Sequence, residues 1–462
     1  MGALAETTAT VSAPVAGGRH GWPFAATLQN VAALGYEEHE YFLAGTAQRY
    51  RDVDGSTSRR DGHWQADQAG LTEFRTRLLV YRPKDAARFN GTVILNWNNV
   101  TAGYDLFGAE SLELFEGGFA MVFLTTQKVG IGGLPPVQQG LAQWDPERYG
   151  SLAIPSDDYS YDVFTQAALA VGPNRGRDPD PLGGLDVRHV IGWGASQSAG
   201  RLATYINAIQ PLTRALDGFV LAIYFGRGTP LEVGDTIVNI NALPPGPAQT
   251  QLVGHNLIRD DLGIPVFVVN SELEAMSCYG VRQPDTDTFR YWEAAGTCHV
   301  SRQVQQKRQA LQERDRIVGR SMDPAINAIP MALLYDAVFH HMHRWVAEGI
   351  APPVQPRIEF AGEPPAVVRD QHGIATGGIR LPQVEVPLAT NCAIPRGEGI
   401  FALLGGSCAP FPANQVEALY GDEATFLARF EAAAQKAVDE QVLRPRDVPR
   451  LIAEAKALWP RP

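Results

Sequence analysis

The sequence predicts an α/β fold, with a mostly parallel central sheet of about eight strands flanked by helices. Three observations carry this. Several strand-like runs are apolar throughout rather than alternating, as in strands buried on both faces. Helical patterns separate these runs in regular alternation. The chain has 462 residues, 45% of them hydrophobic and 19% charged, a globular balance at a length beyond one small core.

The elements follow in order. HEYFLAGTAQRY (39–50) and TRLLVYRP (76–83) read as a first pair of strands, a hairpin-like edge. TVILNW (92–97), AMVFLTT (120–126), HVIGWG (189–194), GFVLAIYFG (218–226), PVFVVNSE (265–272) and FRYWEAAG (289–296) supply the rest. Helices are expected over 158–170, 198–209, 301–318 and 331–348, with Pro211 as the stop of the second. Two stretches break the rhythm, about 127–185 and 227–264. Both read as excursions over one end of the sheet. Residues 1–350 are expected to form the main domain. Residues 351–462 then form a C-terminal accessory segment packing on the core, with helices near 412–419, 423–440 and 446–458.

Composition excludes some roles. A net charge of −11 argues against a nucleic-acid surface, which needs clustered basic residues. No apolar run approaches the roughly 18–20 residues of a membrane span. The N-terminus lacks the basic and apolar regions of a signal peptide. The chain therefore reads as soluble; export stays open, and neither compartment nor oligomeric state is set by these features. Cysteines stand at 278, 298, 392 and 408. An even count permits two disulfides but does not choose the pairing. The spacing matches no zinc finger, so no metal site is expected.

One stretch carries chemistry: GASQSAG, residues 194–200. An attacking serine needs an exposed tight turn, a base and donors for an oxyanion. A strand running into a turn that opens a helix, with small residues two before and two after the serine, provides the turn. An apolar strand precedes Gly194, and apolar positions 199, 202, 203, 206 and 209 follow at helical spacing. Two frames overlap. Ser196 as nucleophile lets Gly194 open the turn; Ser198 would place that glycine inside the strand, where it weakens pairing. Ser196 is therefore the candidate, and Ser198 is an unusual residue at the +2 position, where glycine is usual.

Such sites place serine, acid and histidine in that chain order. Glu272 and Glu274 stand just past the strand 265–272, and His299 follows the last strand. His299 is the candidate base. Glu274 is favoured as the acid over Glu272, provided that it orients the imidazole. The cluster His340, His341, His343 lies in a helical pattern and reads as packing. Oxyanion donors are expected from the N–H of Gln197 and from the loop 96–103. There Asn99 or Val100 supplies a backbone donor, with Trp97 nearby. Trp97, Tyr104, Phe107, Tyr224, Phe225 and Trp292 fall near strand ends, as pocket or core residues.

These residues resemble the α/β-hydrolase superfamily. More narrowly, the chain resembles a bacterial group of α/β-hydrolase-domain proteins with a G-x-S-Q-S elbow. GASQS, Trp97-Asn98-Asn99-Val100, Val269-Asn270-Ser271-Glu272-Leu273-Glu274 and Ala295-Gly296-Thr297-Cys298-His299 carry the likeness, as do DPERYG (145–150), GIAPP (349–353) and GGIRLPQVEVPLAT (377–390). The resemblance implies an α/β-hydrolase fold and a serine esterase acting on a small-molecule ester, without metal or organic cofactor. It implies Ser196 as nucleophile and His299 as base. Glu274 stands where Asp is usual, which leaves the choice between Glu272 and Glu274 open. An acyltransferase using the same triad is the alternative reading. A non-catalytic binding protein on this scaffold is a third.

Overall fold

The computed structural model describes residues 9–106, 111–135, 137–176, 178–234, 254–319, 325–398 and 400–460. Its centre is one nine-stranded sheet. In chain order the strands are β1 (Thr10–Val11), β2 (Tyr36–Asp52), β3 (Ala66–Pro83), β4 (Thr92–Trp97), β5 (Ala120–Leu124), β6 (His189–Ala195), β7 (Gly218–Ala222), β8 (Val266–Ser271) and β9 (Phe289–Ala294). They lie in the order β1-β2-β3-β5-β4-β6-β7-β8-β9. The pairs from β1 to β5 are antiparallel, and every pair from β5 to β9 is parallel.

The ninth strand is the two-residue β1, which pairs with the edge of β2 and is too short to leave a pattern. β2 and β3 also run well beyond their apolar stretches, from Tyr36 opposite Pro83 to Asp52 opposite Ala66. Their outer end exposes Asp67, Gln68 and Glu73. Tyr50 and Ala66 are buried there and Tyr50 Oη donates to Asp162 Oδ1 at 2.9 Å, but the largely exposed run 67–73 of β3 carries no apolar periodicity.

Successive side chains on a strand point to opposite faces, and here both faces are covered. Ile94, Met121, Ile191, Trp193, Val220 and Phe267 enter one core. Val93, Leu95, Val122, Val190, Phe219 and Leu221 enter the other. This double burial is why the strands read as continuous apolar runs. The longer helices that matter for the site and its support are α1 (Ser160–Val171), α2 (Gln197–Thr204), α3 (Glu272–Cys278), α4 (Arg302–Asp315), α5 (Ala332–Glu348), α6 (Glu423–Asp439) and α7 (Val448–Leu458). α1 and α2 close the second core through Phe164, Ala167, Ala199 and Leu202. α5 closes the first through Leu334, Val338 and Met342. Phe426, Phe430 and Leu451 of α6 and α7 join that same first core.

Several expectations need correction. Pro211 does not stop the helix that begins at Gln197. A π turn, Tyr205–Ile209, is followed by a further helical turn, Gln210–Thr213, with the proline at its start. The widened π turn directly before it relaxes the i→i−4 ladder at the point where the proline has no N–H to donate. β7 ends at Ala222 rather than 226. Ile223 leaves the sheet at φ 44°, a conformation β-branched residues seldom adopt. Its N–H still donates to Val269 O at 2.8 Å. All four cysteines are buried free thiols, so neither disulfide permitted by the count is formed. Of the second excursion, 235–253 lies outside the described residues.

Candidate active site

The parallel strands deliver the candidate residues to one edge of the sheet, beyond their carboxyl ends, where open α/β sheets bind ligands. Ser196 sits between the last residue of β6 and the first of α2. Its backbone is held at φ 61°, ψ −118°, a strained conformation for a residue with a side chain. Its N–H donates to Ala222 O at 2.9 Å, which anchors the turn to β7. Gly194 is glycine for a packing reason. A Cβ there would lie 2.7 Å from Ser198 O and 3.0 Å from Leu202 Cδ1.

Ser196 lines a cavity of about 470 Å³ together with His299. Ser198 does not reach it. Its side chain is fully buried behind the turn, and its Oγ has no hydrogen-bond partner.

The two glutamates are separated by their surroundings. Ser271 caps α3: its Oγ accepts from Leu273 N–H at 3.2 Å, and its N–H donates back to Glu274 Oε2 at 3.3 Å. The Ser271 hydroxyl also donates to Glu274 Oε2. This capping box fixes the carboxylate, and its other oxygen, Oε1, sits 2.7 Å from His299 Nδ1. Glu272 turns elsewhere. Its Oε2 accepts from Gly296 N–H at 3.0 Å. Its Oε1 pairs with Arg369 Nη2 at 2.6 Å and accepts from Ala393 N–H at 3.2 Å. Glu272 thus ties the histidine loop to the C-terminal segment, and Glu274 alone of the two touches the imidazole.

His299 follows a turn at Gly296 (φ 67°), closed by Thr297 Oγ1 donating to Ala294 O at 2.6 Å. Its ring stacks on Phe225 with centroids 5.2 Å apart. The ring is thereby fixed from two sides, by a carboxylate and by an aromatic face.

The loop after β4 is stitched to the turn at Ser196. Asn99 Nδ2 donates to Ala195 O at 2.9 Å, and Asn99 Oδ1 accepts from Thr101 N–H at 2.8 Å. The Asn99 side chain is thus committed to holding the loop. Thr101 Oγ1 donates to Gln197 Oε1 at 3.4 Å, so both candidate oxyanion residues belong to one network. Trp97 borders the cavity, but its indole packs into the second core against Tyr161 and Phe164 and donates to Gln127 Oε1 at 3.2 Å. Tyr224 and Trp292 are also core residues. Phe107 lies outside the described residues. Tyr104 does line the cavity, and the rest of the apolar wall comes from Leu106, Phe123, Leu134, Ile223 and Met331.

Two cations lining the cavity, Lys307 and Arg308, were missed by the sequence reading. A signal for them existed. α4 starts three residues after His299, so a histidine at the cavity puts one stripe of α4 (304, 308, 312) beside it, at i, i+4 spacing. The histidines of α5 serve packing: His340 faces Glu113 at 3.4 Å, His341 Nε2 meets Gln441 O at 2.8 Å, and His343 meets Thr92 Oγ1 at 2.8 Å. A metal-ligand grouping among the described residues, His63 with Asp260 and Asp261, is largely exposed and is not part of the cavity. No helix among the described residues is long and apolar enough to cross a membrane.

The sequence matches a model described as an alpha/beta hydrolase domain over residues 11–453. No curated protein matches it. Among solved structures it is similar to brefeldin A esterase, a bacterial homologue of human hormone-sensitive lipase, at 13% identity and TM-score 0.26, over 54% of this chain and 68% of that one. It is similar to acetyl xylan esterase 1 from a Thermoanaerobacterium species at 12% identity and TM-score 0.29, over 63% and 81% of the two chains. Fungal esterases of Rhizomucor miehei match at 15% identity and TM-score 0.28, over 59% and 82%.

Proposed function

The chain belongs to the alpha/beta hydrolase domain family, and from that premise we propose that it is a serine esterase with Ser196 as nucleophile, His299 as base and Glu274 as acid. The observation that carries the reading is the 2.7 Å contact between Glu274 Oε1 and His299 Nδ1, at a cavity that Ser196 and His299 line together. With Nδ1–H donated to the carboxylate, Nε2 is the free acceptor and takes the proton of Ser196 Oγ as the oxygen attacks an ester carbonyl. Glu274 stabilises the imidazolium without itself taking the proton. The carbonyl oxygen becomes an oxyanion, held by the backbone N–H groups of Gln197 and Asn99. Collapse expels the alcohol, protonated by His299. Water activated by the same ring then releases the acid and restores Ser196. No metal or organic cofactor enters these steps.

In this reading the C-terminal segment, 351–462, is an accessory to the catalytic domain of residues 1–350. Arg369 and the Ala393 N–H on Glu272 brace the loop that bears His299.

Ser196→Ala is expected to abolish turnover of p-nitrophenyl butyrate and labelling by a fluorophosphonate probe, with the circular dichroism of the wild type retained. A folded Ser196→Ala protein that keeps its label or its turnover overturns the assignment.

A further inference from the structure

The cavity beside Ser196 has charge of one sign. Among the described residues lining it, the charged side chains apart from His299 are Lys307 and Arg308, and none is a carboxylate. In a chain of net charge −11 this is a local reversal. Arg308 is the less exposed of the two. It is partly buried, and its Nε is shielded from solvent with no hydrogen-bond partner. Several buried or half-buried arginines here hold a carboxylate: Arg77 has Asp105 at 3.0 Å, Arg175 has Asp180 at 2.7 Å, and Arg282 has Glu293 at 2.6 Å. Arg308 has no such partner among the described residues.

Its surroundings offer donors rather than acceptors of charge. Burial lowers the pKa of Arg308, and the groups opposing that are the phenols of Tyr104 and Tyr335. Burial raises both phenols above their ordinary value, so neither supplies a negative charge at neutral pH. Tyr104 Oη accepts from Gln312 Nε2 at 2.9 Å, which leaves its own proton for another acceptor. Tyr335 lines the same cavity. A guanidinium stays charged at any pH the protein meets, so a partly buried one with no carboxylate beside it favours an anionic ligand.

We propose that the natural substrate is an ester carrying a second, anionic group, a carboxylate or an equivalent oxyanion, which Arg308 binds while Ser196 attacks the ester carbonyl. The proposal rests on the esterase reading of this site. A planar fork of N–H donors matches a carboxylate in two parallel bonds. The hydroxyls of Tyr104 and Tyr335 complete a set of donors around it, and Lys307 adds long-range attraction.

The test compares isosteric pairs. 4-Carboxyphenyl butyrate is set against 4-carbamoylphenyl butyrate for an anion on the alcohol side, and monophenyl adipate against the phenyl ester of adipic acid monoamide for one on the acyl side. 4-Sulfophenyl butyrate separates carboxylate from other oxyanions. The expected result is a kcat/KM preference of about tenfold or more for the charged member of at least one pair. It should be expressed mainly in KM and reduced towards unity in Arg308→Gln, with Arg308→Lys intermediate. The same ratio is read without turnover by calorimetric titration of the Ser196→Ala protein with each member of the alcohol-side pair. Equal kcat/KM for charged and neutral members in the wild type, or a preference that survives Arg308→Gln, overturns this inference and leaves the esterase reading standing on its neutral-ester turnover. Loss of all ester turnover sinks the esterase reading instead. In that case equal binding of the pair by Ser196→Ala sinks the anion site as well.

Discussion

At the scale of single residues, the acid is where sequence and structure divide the work. Glu272 and Glu274 are two positions apart at the end of one strand, and both were open from chain order alone. The cap geometry separates them. Ser271 turns Glu274 back over the helix start, and Oε1 is left 2.7 Å from His299 Nδ1. Glu272, on the other side of the turn, is held by Arg369 at 2.6 Å. The two substitutions should therefore fail differently. Glu274→Gln is expected to lower kcat by about a thousandfold or more, because the imidazole loses the partner that fixes its tautomer. Glu272→Gln breaks a nearly buried ion pair and is expected to cost about 2–4 kcal/mol of stability, with a much smaller effect on kcat. Unfolding scans and p-nitrophenyl butyrate kinetics on both variants check this. If Glu272→Gln proves the worse in kcat and Glu274→Gln the worse in stability, the acid role moves to Glu272.

At the scale of elements, the small residues of GASQSAG are explained by the approach of α2 to β6. Gly194 is held to hydrogen by Ser198 O and Leu202, and Gly200 packs closely on Arg227 O beyond β7, which a Cβ would approach to 3.1 Å. Ser198 is fully buried, but nothing there needs a hydroxyl. Its Oγ is buried without a partner, which costs free energy. Ser198→Ala removes that cost and adds helix propensity. It is expected to raise Tm by about 1–2 °C and leave kcat and KM for p-nitrophenyl butyrate as they are. A large loss of activity on this change would instead give the hydroxyl a catalytic part. Element prediction succeeded best where burial was two-sided, as for β4, whose bounds match the apolar run 92–97. It fell short in the outer half of β3, whose run 67–73 is largely exposed and has no apolar periodicity.

At the scale of the whole molecule, the C-terminal segment and the sheet share one apolar core, and polar contacts fasten that junction. One depends on protonation. His341 of α5 donates Nε2–H to Gln441 O at 2.8 Å, and burial lowers its pKa to about 4. The unfolded chain, with an ordinary histidine near 6.5, binds the proton more readily than the fold does between about pH 6.5 and 4. This contribution to stability is therefore present above about pH 6.5 and is lost as pH falls towards 4, by about 3 kcal/mol in all. Asp447, raised to about 6 by burial and by Asp336, has the opposite slope. The effect is accordingly read as a difference between variants. His341→Gln keeps a donor for Gln441 O but cannot titrate, so its Tm relative to wild type should rise as pH is lowered from 7 to 4. A constant difference across that range would contradict the assignment.

The sequence by itself determined the alternation of strands and helices, the place of the tight turn at Ser196 and the downstream order of Glu274 and His299. These are local or periodic properties. Apolar runs report burial, a glycine two before a serine reports a tight crossing, and chain order reports which strand end a residue follows. Tertiary structure alone decided which glutamate meets His299, that Ser198 and the Trp97 indole face away from the cavity, and that Lys307 and Arg308 face into it. Each of these depends on side chains from separate elements converging within a few ångströms. That convergence is fixed by how helices pack across the sheet edge, and the spacing along any one segment does not encode it.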